Sequence, residues 1–156
     1  MIHTQNNQLA SDIYNFLNGE QLPNKQHEAM LLLTVSEEGW PHTAMLSVGE
    51  VLAISPTELR IALWPDTQTS GNLLRTGQAT LVIVHRGKAV YIRLTCDSLG
   101  ELAHAHHPRT RFLARVVSYR EDVAAYADIT SGITFELKDP AAGIARWEQT
   151  LGELRM

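Results

Sequence analysis

Trp64-Pro-Asp-Thr-Gln-Thr-Ser-Gly-Asn-Leu-Leu-Arg-Thr-Gly77 reads as a hydroxyl-rich turn leading from a strand into one short helix. Ser70 is a good N-cap and Gly77 a good C-terminal stop, which leaves residues 72–76 room for little more than one turn. A helix start presents unpaired backbone N–H groups, and the side chains of Thr67, Gln68, Thr69 and Ser70 can add donors at the same point. Those features describe a phosphate cradle. They equally describe a capped connector between two strands, because polar turns capped by Ser or Thr are common.

Outward from that turn the sequence alternates in the manner of strands. Before it, residues 59–64 place Leu59, Ile61 and Leu63 on one side and Arg60, Ala62 and Trp64 on the other. After it, residues 79–84 and 89–95 form a hairpin around His85-Arg86-Gly87-Lys88. Upstream, residues 30–35, a turn at Glu37-Glu38-Gly39 and residues 42–48 give another hairpin; its second strand is expected to run on to Ile54. Downstream, residues 112–119 and 133–137 predict two more strands, with a small helical piece over 123–126. A short amphipathic helix carrying Leu9, Ile13, Phe16 and Leu17 opens the chain. A longer one closes it, with Asp139 as N-cap, Pro140 next, and Ile144, Trp147, Leu151 and Leu154 on one stripe. About seven short, hairpin-linked strands are better closed into a barrel than left with long open edges. The expected fold is therefore mainly β, an antiparallel barrel with flanking N- and C-terminal helices.

Composition narrows the classes of function. The 156 residues suit one domain over 1–156, with 44% hydrophobic and 19% charged residues, as in an ordinary globular protein. Thirteen Lys plus Arg stand against 17 Asp plus Glu, with no basic block, so nucleic acid is a poor partner. The longest apolar runs, 29–33 and 81–84, are too short to span a bilayer, and the first residues lack a secretion signal. No membrane association and a cytoplasmic setting are the expectations. The single cysteine, Cys96, reads as a small buried apolar residue. Glu101, His104, His106 and His107 invite a metal reading, but Pro108 follows at once and an exposed polar loop is the better account, so no metal site is expected. No Gly-x-Ser-x-Gly elbow supports a nucleophilic triad, and the catalytic residues stay unassigned.

The order of strand, Gly-Trp-Pro-His turn, strand, hairpin, the Thr67–Gly77 string, strand and hairpin resembles the pyridoxamine 5′-phosphate oxidase-like, FMN-binding split β-barrel proteins over residues 28–138. Its most specific piece is Asn72-Leu73-Leu74-Arg75 between the polar turn and the next strand. The resemblance implies a homodimer with one FMN at each end of the subunit interface, the flavin ring lying along residues 42–47. Carried over residue by residue, it assigns His42, Thr43, Met45, Ser47, Arg60, Leu63, Trp64, Thr67, Gln68, Thr69, Ser70 and Asn72 to the cofactor. This chain also departs from the pattern. Relatives carry cations at the positions of His42 and Ser47 and in the polar turn, where this sequence has Gln68 and Thr69. A charged hydrogen bond to phosphate is about twice as strong as a neutral one, so the charge must come from elsewhere, Arg60, Arg75 and Arg93 being candidates. Arg146 and Trp147 are similar to the C-terminal Arg and Trp of the true oxidases but sit in a helical context, which argues against pyridoxamine phosphate oxidation itself.

Two functions follow from the resemblance. One is a small FMN-dependent oxidoreductase acting by hydride or electron transfer on a small molecule; the other is a non-catalytic dimeric binding protein that has lost strong FMN binding. A haem or a deazaflavin in place of FMN stays open.

Overall fold

The computed structural model describes residues 5–102 and 108–156. In chain order it contains β1 (Gln5–Asn6), α1 (Ser11–Phe16), α2 (Leu22–Lys25), β2 (Met30–Val35), β3 (Pro41–Leu46), β4 (Val51–Ser55), β5 (Glu58–Leu63), α3 (Gln68–Thr76), β6 (Gln78–His85), β7 (Lys88–Gly100), β8 (Thr110–Asp122) and α4 (Pro140–Leu154). Seven strands pair in the order β3-β2-β6-β7-β8-β5-β4, and β1 adds a short pairing to β8. Every pairing is antiparallel.

Strand alternation sets which side chains face inward. Along β2, Met30, Leu32 and Thr34 are buried while Val35 is exposed, and along β5 Leu59, Ile61 and Leu63 are buried. The two-residue turn between β6 and β7 has both central residues at positive φ, Arg86 at 51° and Gly87 at 79°, which is the geometry that matches strand twist. Inside the sheet lies a continuous apolar core that includes Ile13 of α1, Phe112 and Tyr119 of β8, and Leu151 of α4. Cys96 is buried as expected, its thiol pushed up to about 12 by burial and then by Asp97.

Three expectations fail in the structure. The strand expected to run from 42 to 54 is broken at Ser47: β3 ends at Leu46, and β4 begins at Val51 on the opposite edge of the sheet. Glu50 makes that break by folding back, its Oε1 accepting from the Ser47 backbone N–H at 3.0 Å and the Ser47 hydroxyl at 2.8 Å. Residues 133–137 form no strand; their backbone pairing among the described residues is one bridge between Glu28 and Thr134, with Ala29 N–H bonded to the Ile133 carbonyl and Phe135 N–H to the His27 carbonyl. Residues 123–126 are likewise not helical. Gaining one strand by the split and losing one at 133–137 leaves the number in the main path at seven.

The break also dictates closure. Six inter-strand spacings of about 4.8 Å would put β3 and β4 about 29 Å apart in a flat sheet. Only four residues lie between Leu46 and Val51, and a span of five Cα–Cα steps reaches at most about 18 Å. The sheet must therefore curl until its two edges meet. No β3–β4 ladder seals them among the described residues, so the architecture is a split barrel.

Candidate functional site

The polar turn folds differently from expectation, and the reason is local. Thr67, not Ser70, caps α3, its hydroxyl accepting from the Ser70 N–H at 3.2 Å, so the helix runs nine residues to the left-handed Gly77. Ser70 is buried in the first turn and donates its hydroxyl to the Trp64 carbonyl at 2.6 Å. Two hydroxyls expected to face an anion are thus engaged within the turn. Gly71 N–H is bonded to the Thr67 carbonyl, and the first-turn amides of Gln68 and Thr69 have no hydrogen-bond partner among the described residues.

The remaining predicted residues divide by position. Thr43 and Met45 point outward from β3, Met45 being 53% exposed, while His42 is half-buried opposite Thr34. Ser47 is buried in the turn with Glu50. Trp64 is 52% exposed just past the end of β5, four residues before α3. Gln68 is exposed, whereas Leu63 and Thr69 belong to the interior. Asn72 is buried and ties α3 to the sheet, its Nδ2 donating to Thr34 Oγ1 at 3.0 Å. Arg60 is held elsewhere, paired with Glu58 at 3.0 Å and donating to the Leu154 carbonyl at the end of α4. Arg75 donates to the Val35 carbonyl and borders a cavity of about 320 Å³ with Glu37, Glu38 and Gln68. Arg93 is exposed on β7 beside a groove of about 540 Å³ floored by Leu33, Val35 and Val117. A further cavity of about 630 Å³ lies between α1, α2 and the β6–β7 turn, and none of these predicted residues lines it.

Two residues of the site have no distinguishing signal in the sequence. Arg109, just before β8, lays its guanidinium carbon 3.7 Å from the centre of the Trp64 ring and is only 8% exposed. One of its nitrogens donates to the Pro108 carbonyl at 3.0 Å, and its buried Nε has no hydrogen-bond partner among the described residues. Burial pushes Arg109 down from its ordinary value, with Arg146 adding to the effect and Glu50 and Glu153 opposing it. Glu50 is itself raised by burial, against the pull of its Ser47 bonds and of Arg109. Arg109 follows a stretch that reads as an exposed loop, and nothing in the spacing announces that it reaches Trp64. The histidine cluster at 104, 106 and 107 lies outside the described residues; among those described, no group of three potential ligands gathers around a metal position. No described helix is long and apolar enough to cross a membrane.

As a stack for a flat ring, the site offers a half-exposed indole backed by a cation, beside an edge strand and a helix N-terminus. Such a platform suits a planar heterocycle, because large aromatic faces stack with about 0.5–1.5 kcal/mol beyond their area burial. The phosphate end fits less directly, with neutral side chains and two backbone amides.

Comparison with known proteins agrees with the fold. No family model matches the chain. It is 48% identical over 149 residues to YclD of Bacillus subtilis, an uncharacterized protein, covering 96% of this chain and 97% of that one. Among solved structures, a pyridoxamine 5′-phosphate oxidase candidate from Lactobacillus delbrueckii superposes with a TM-score of 0.59 at 17% identity, covering 76% of this chain and 98% of that one. An FMN-binding protein from Syntrophomonas wolfei superposes at 0.52 and 15%, covering 70% and 88%. The chain belongs to the family of YclD and has the split-barrel fold of the pyridoxamine 5′-phosphate oxidase-like proteins.

Proposed function

We propose that this protein is an FMN-binding homodimer, a small flavin-dependent oxidoreductase whose ring site lies between the outward face of β3 and Trp64. The observation that carries the reading is Trp64, half-exposed just past the end of β5 and four residues before α3, with Arg109 laid against one face of its ring. Thr43 and Met45 would flank the ring, and the free amides of Gln68 and Thr69 would meet the phosphate with the partial positive charge of the helix start. FMN, when bound, supplies the electron-carrying chemistry; the protein's part is to hold, orient and shield it. The FMN-binding protein from S. wolfei supports the choice of cofactor by fold likeness.

Dimerisation rests on the outer face of the sheet. Val35, Met45 and Val117 are exposed there, a set of apolar side chains that a second copy would cover. Light scattering after size exclusion should give twice the mass of one chain, and Met45→Asp should return the monomer.

The experiment for the cofactor is titration of the purified protein with FMN, followed by absorbance and flavin fluorescence. Saturable quenching with one FMN per chain is the expected result. The second reading, a dimeric binding protein without strong FMN affinity, is favoured by one observation: Thr67 and Ser70 spend their hydroxyls on the turn, and no cation stands at positions 42, 47, 68 or 69. A protein that stays colourless and takes up no FMN at low salt would establish that reading over the first.

A further inference from the structure

We infer that the groove of about 540 Å³ on the outer face of the sheet seats a small molecule with a flat apolar body and a carboxylate, and that Arg93 receives the carboxylate. This is the class of substrate offered to the flavin. The role as a substrate site rests on the function proposed above, whereas the binding of a carboxylate there stands without it.

The wall of the groove is the first support. Leu33, Val35 and Val117 supply apolar surface, Thr80 and Thr95 supply hydroxyls, and Arg93 is the one charge among the described residues that line it. No carboxylate stands among them to neutralise it. Arg93 is exposed and takes part in no hydrogen bond or ion pair among the described residues. Two other cavities differ. Asp12, Glu20 and Glu28 line the one beside α1 together with Lys25 and Arg86, and Glu37 and Glu38 line the one beside α3 together with Arg75. Carboxylates outnumber cations in both, so an anion is disfavoured there and favoured in the groove. Its volume also falls within the roughly 300–1,000 Å³ of small-molecule sites.

Position is the second support. The strand registers set Thr43, Leu33, Thr80 and Arg93 opposite one another in a single row across β3, β2, β6 and β7. Each of the four is flanked along its strand by more buried residues, so the row runs over the outer face. Three strand spacings of about 4.8 Å separate Thr43 from Arg93, about 14 Å measured flat. A ring lying on Thr43 and Met45 therefore leaves the β6–β7 end of the row for a second small molecule beside it.

The third support is a β-bulge. Arg93 pairs with Ser118 but Leu94 pairs with Val116, so Val117 is the extra residue of β8 and stands out at 52% exposure. A bulge interrupts the ladder and re-aims a side chain, and here it turns an apolar one onto the wall of the groove. The second copy proposed to cover Val35, Met45 and Val117 would roof the groove and shield the ion contact from water.

Benzoate is the probe and benzamide its neutral isostere, each titrated into the purified protein with the methyl resonances of Leu33, Val35 and Val117 as readout. Benzoate should shift those methyls and bind about fivefold or more tighter than benzamide, a preference between the worth of an exposed ion pair and that of a charged hydrogen bond. Arg93→Gln should remove the preference while FMN affinity stays within about twofold. Methyls that do not move in wild type, or an unchanged preference in the variant, overturn the assignment. An equal loss of FMN affinity also overturns it, because the charge then belongs to the cofactor. Should Arg93→Gln not fold, Thr80→Glu sets a carboxylate directly opposite Arg93 and should abolish the preference in the same way; benzoate bound as before overturns the proposal. Wild type that binds benzoate through Arg93 but takes up no FMN keeps the anion site and removes the flavin reading. Uptake of FMN with no benzoate in the groove does the reverse.

Discussion

Glu50 shows how one side chain can set both the path of the chain and its response to pH. Burial raises it above the ordinary 4.5, and the Ser47 bonds and Arg109 do not fully offset that. The folded state then holds this proton more tightly than the unfolded chain does. Its contribution to stability is greatest below about 4.5 and is lost as pH rises through the raised folded value. Glu50→Gln keeps the accepting oxygen and removes the charge. Urea midpoints of the variant should match wild type in acid and exceed it toward neutral pH; parallel curves would contradict the assignment. Two residues earlier than β4, Gly49 leaves no room for a side chain: an added Cβ would fall 2.0 Å from Trp147 Cγ and 2.1 Å from its Cδ1. Trp147 is 9% exposed and anchors α4. Gly49→Ala should therefore destabilise by about 3 kcal/mol, the upper part of the usual range for overpacking, seen as a lower guanidinium midpoint. The role of Trp147 as a packing residue was legible from its helical stripe. Gly49 was not, because its contact is with a residue nearly a hundred positions away.

At the scale of elements, helix starts and strand breaks were the parts least visible in sequence. Thr67 and Ser70 are both good caps, and only the fold decides between them: with Trp64 ending β5, the Ser70 hydroxyl reaches back to the Trp64 carbonyl, and the cap moves to Thr67. Thr67→Ala should cost about 1 kcal/mol in urea unfolding, while the same change at the exposed Thr43 should cost little. The break of the second hairpin strand was hidden for a related reason. Residues 42–48 and 51–54 both read as strand, and the turn between them is made by a carboxylate that accepts from the backbone three residues back. By contrast β2, α4 and the β6–β7 hairpin were readable, since each carries both its periodicity and its stop signals locally.

Across the whole molecule, long-range order was legible only by resemblance. Alternation alone called for a barrel, and the family likeness supplied the split architecture that the structure shows. Neither indicated how the N-terminal helix is fastened. Lys88 of β7 bridges Asp12 of α1 and Glu121 of β8, each at 2.8 Å, and the Tyr119 hydroxyl donates to the same Glu121 oxygen. Burial works to raise both carboxyls, but the Lys88 bond and charge outweigh it, so Asp12 and Glu121 lie below their ordinary values. Their stabilising contribution is present above the ordinary carboxylate values and is lost as pH falls through the lowered folded ones. Lys88→Met should flatten that acid-side loss and lower stability at neutral pH by an amount between the about 0–1 kcal/mol of an exposed pair and the about 3–5 kcal/mol of a buried one, read from thermal midpoints across pH.

The short span joining β3 to β4 has a consequence for how such a chain can vary. It acts as a tether whose length caps the circumference of the barrel, so residues inserted there would let the seam gape and expose Val48 and Val51, which are buried beside it. Insertions at the outer hairpin tips should be accommodated instead, and homologues of different length should keep this one stretch constant.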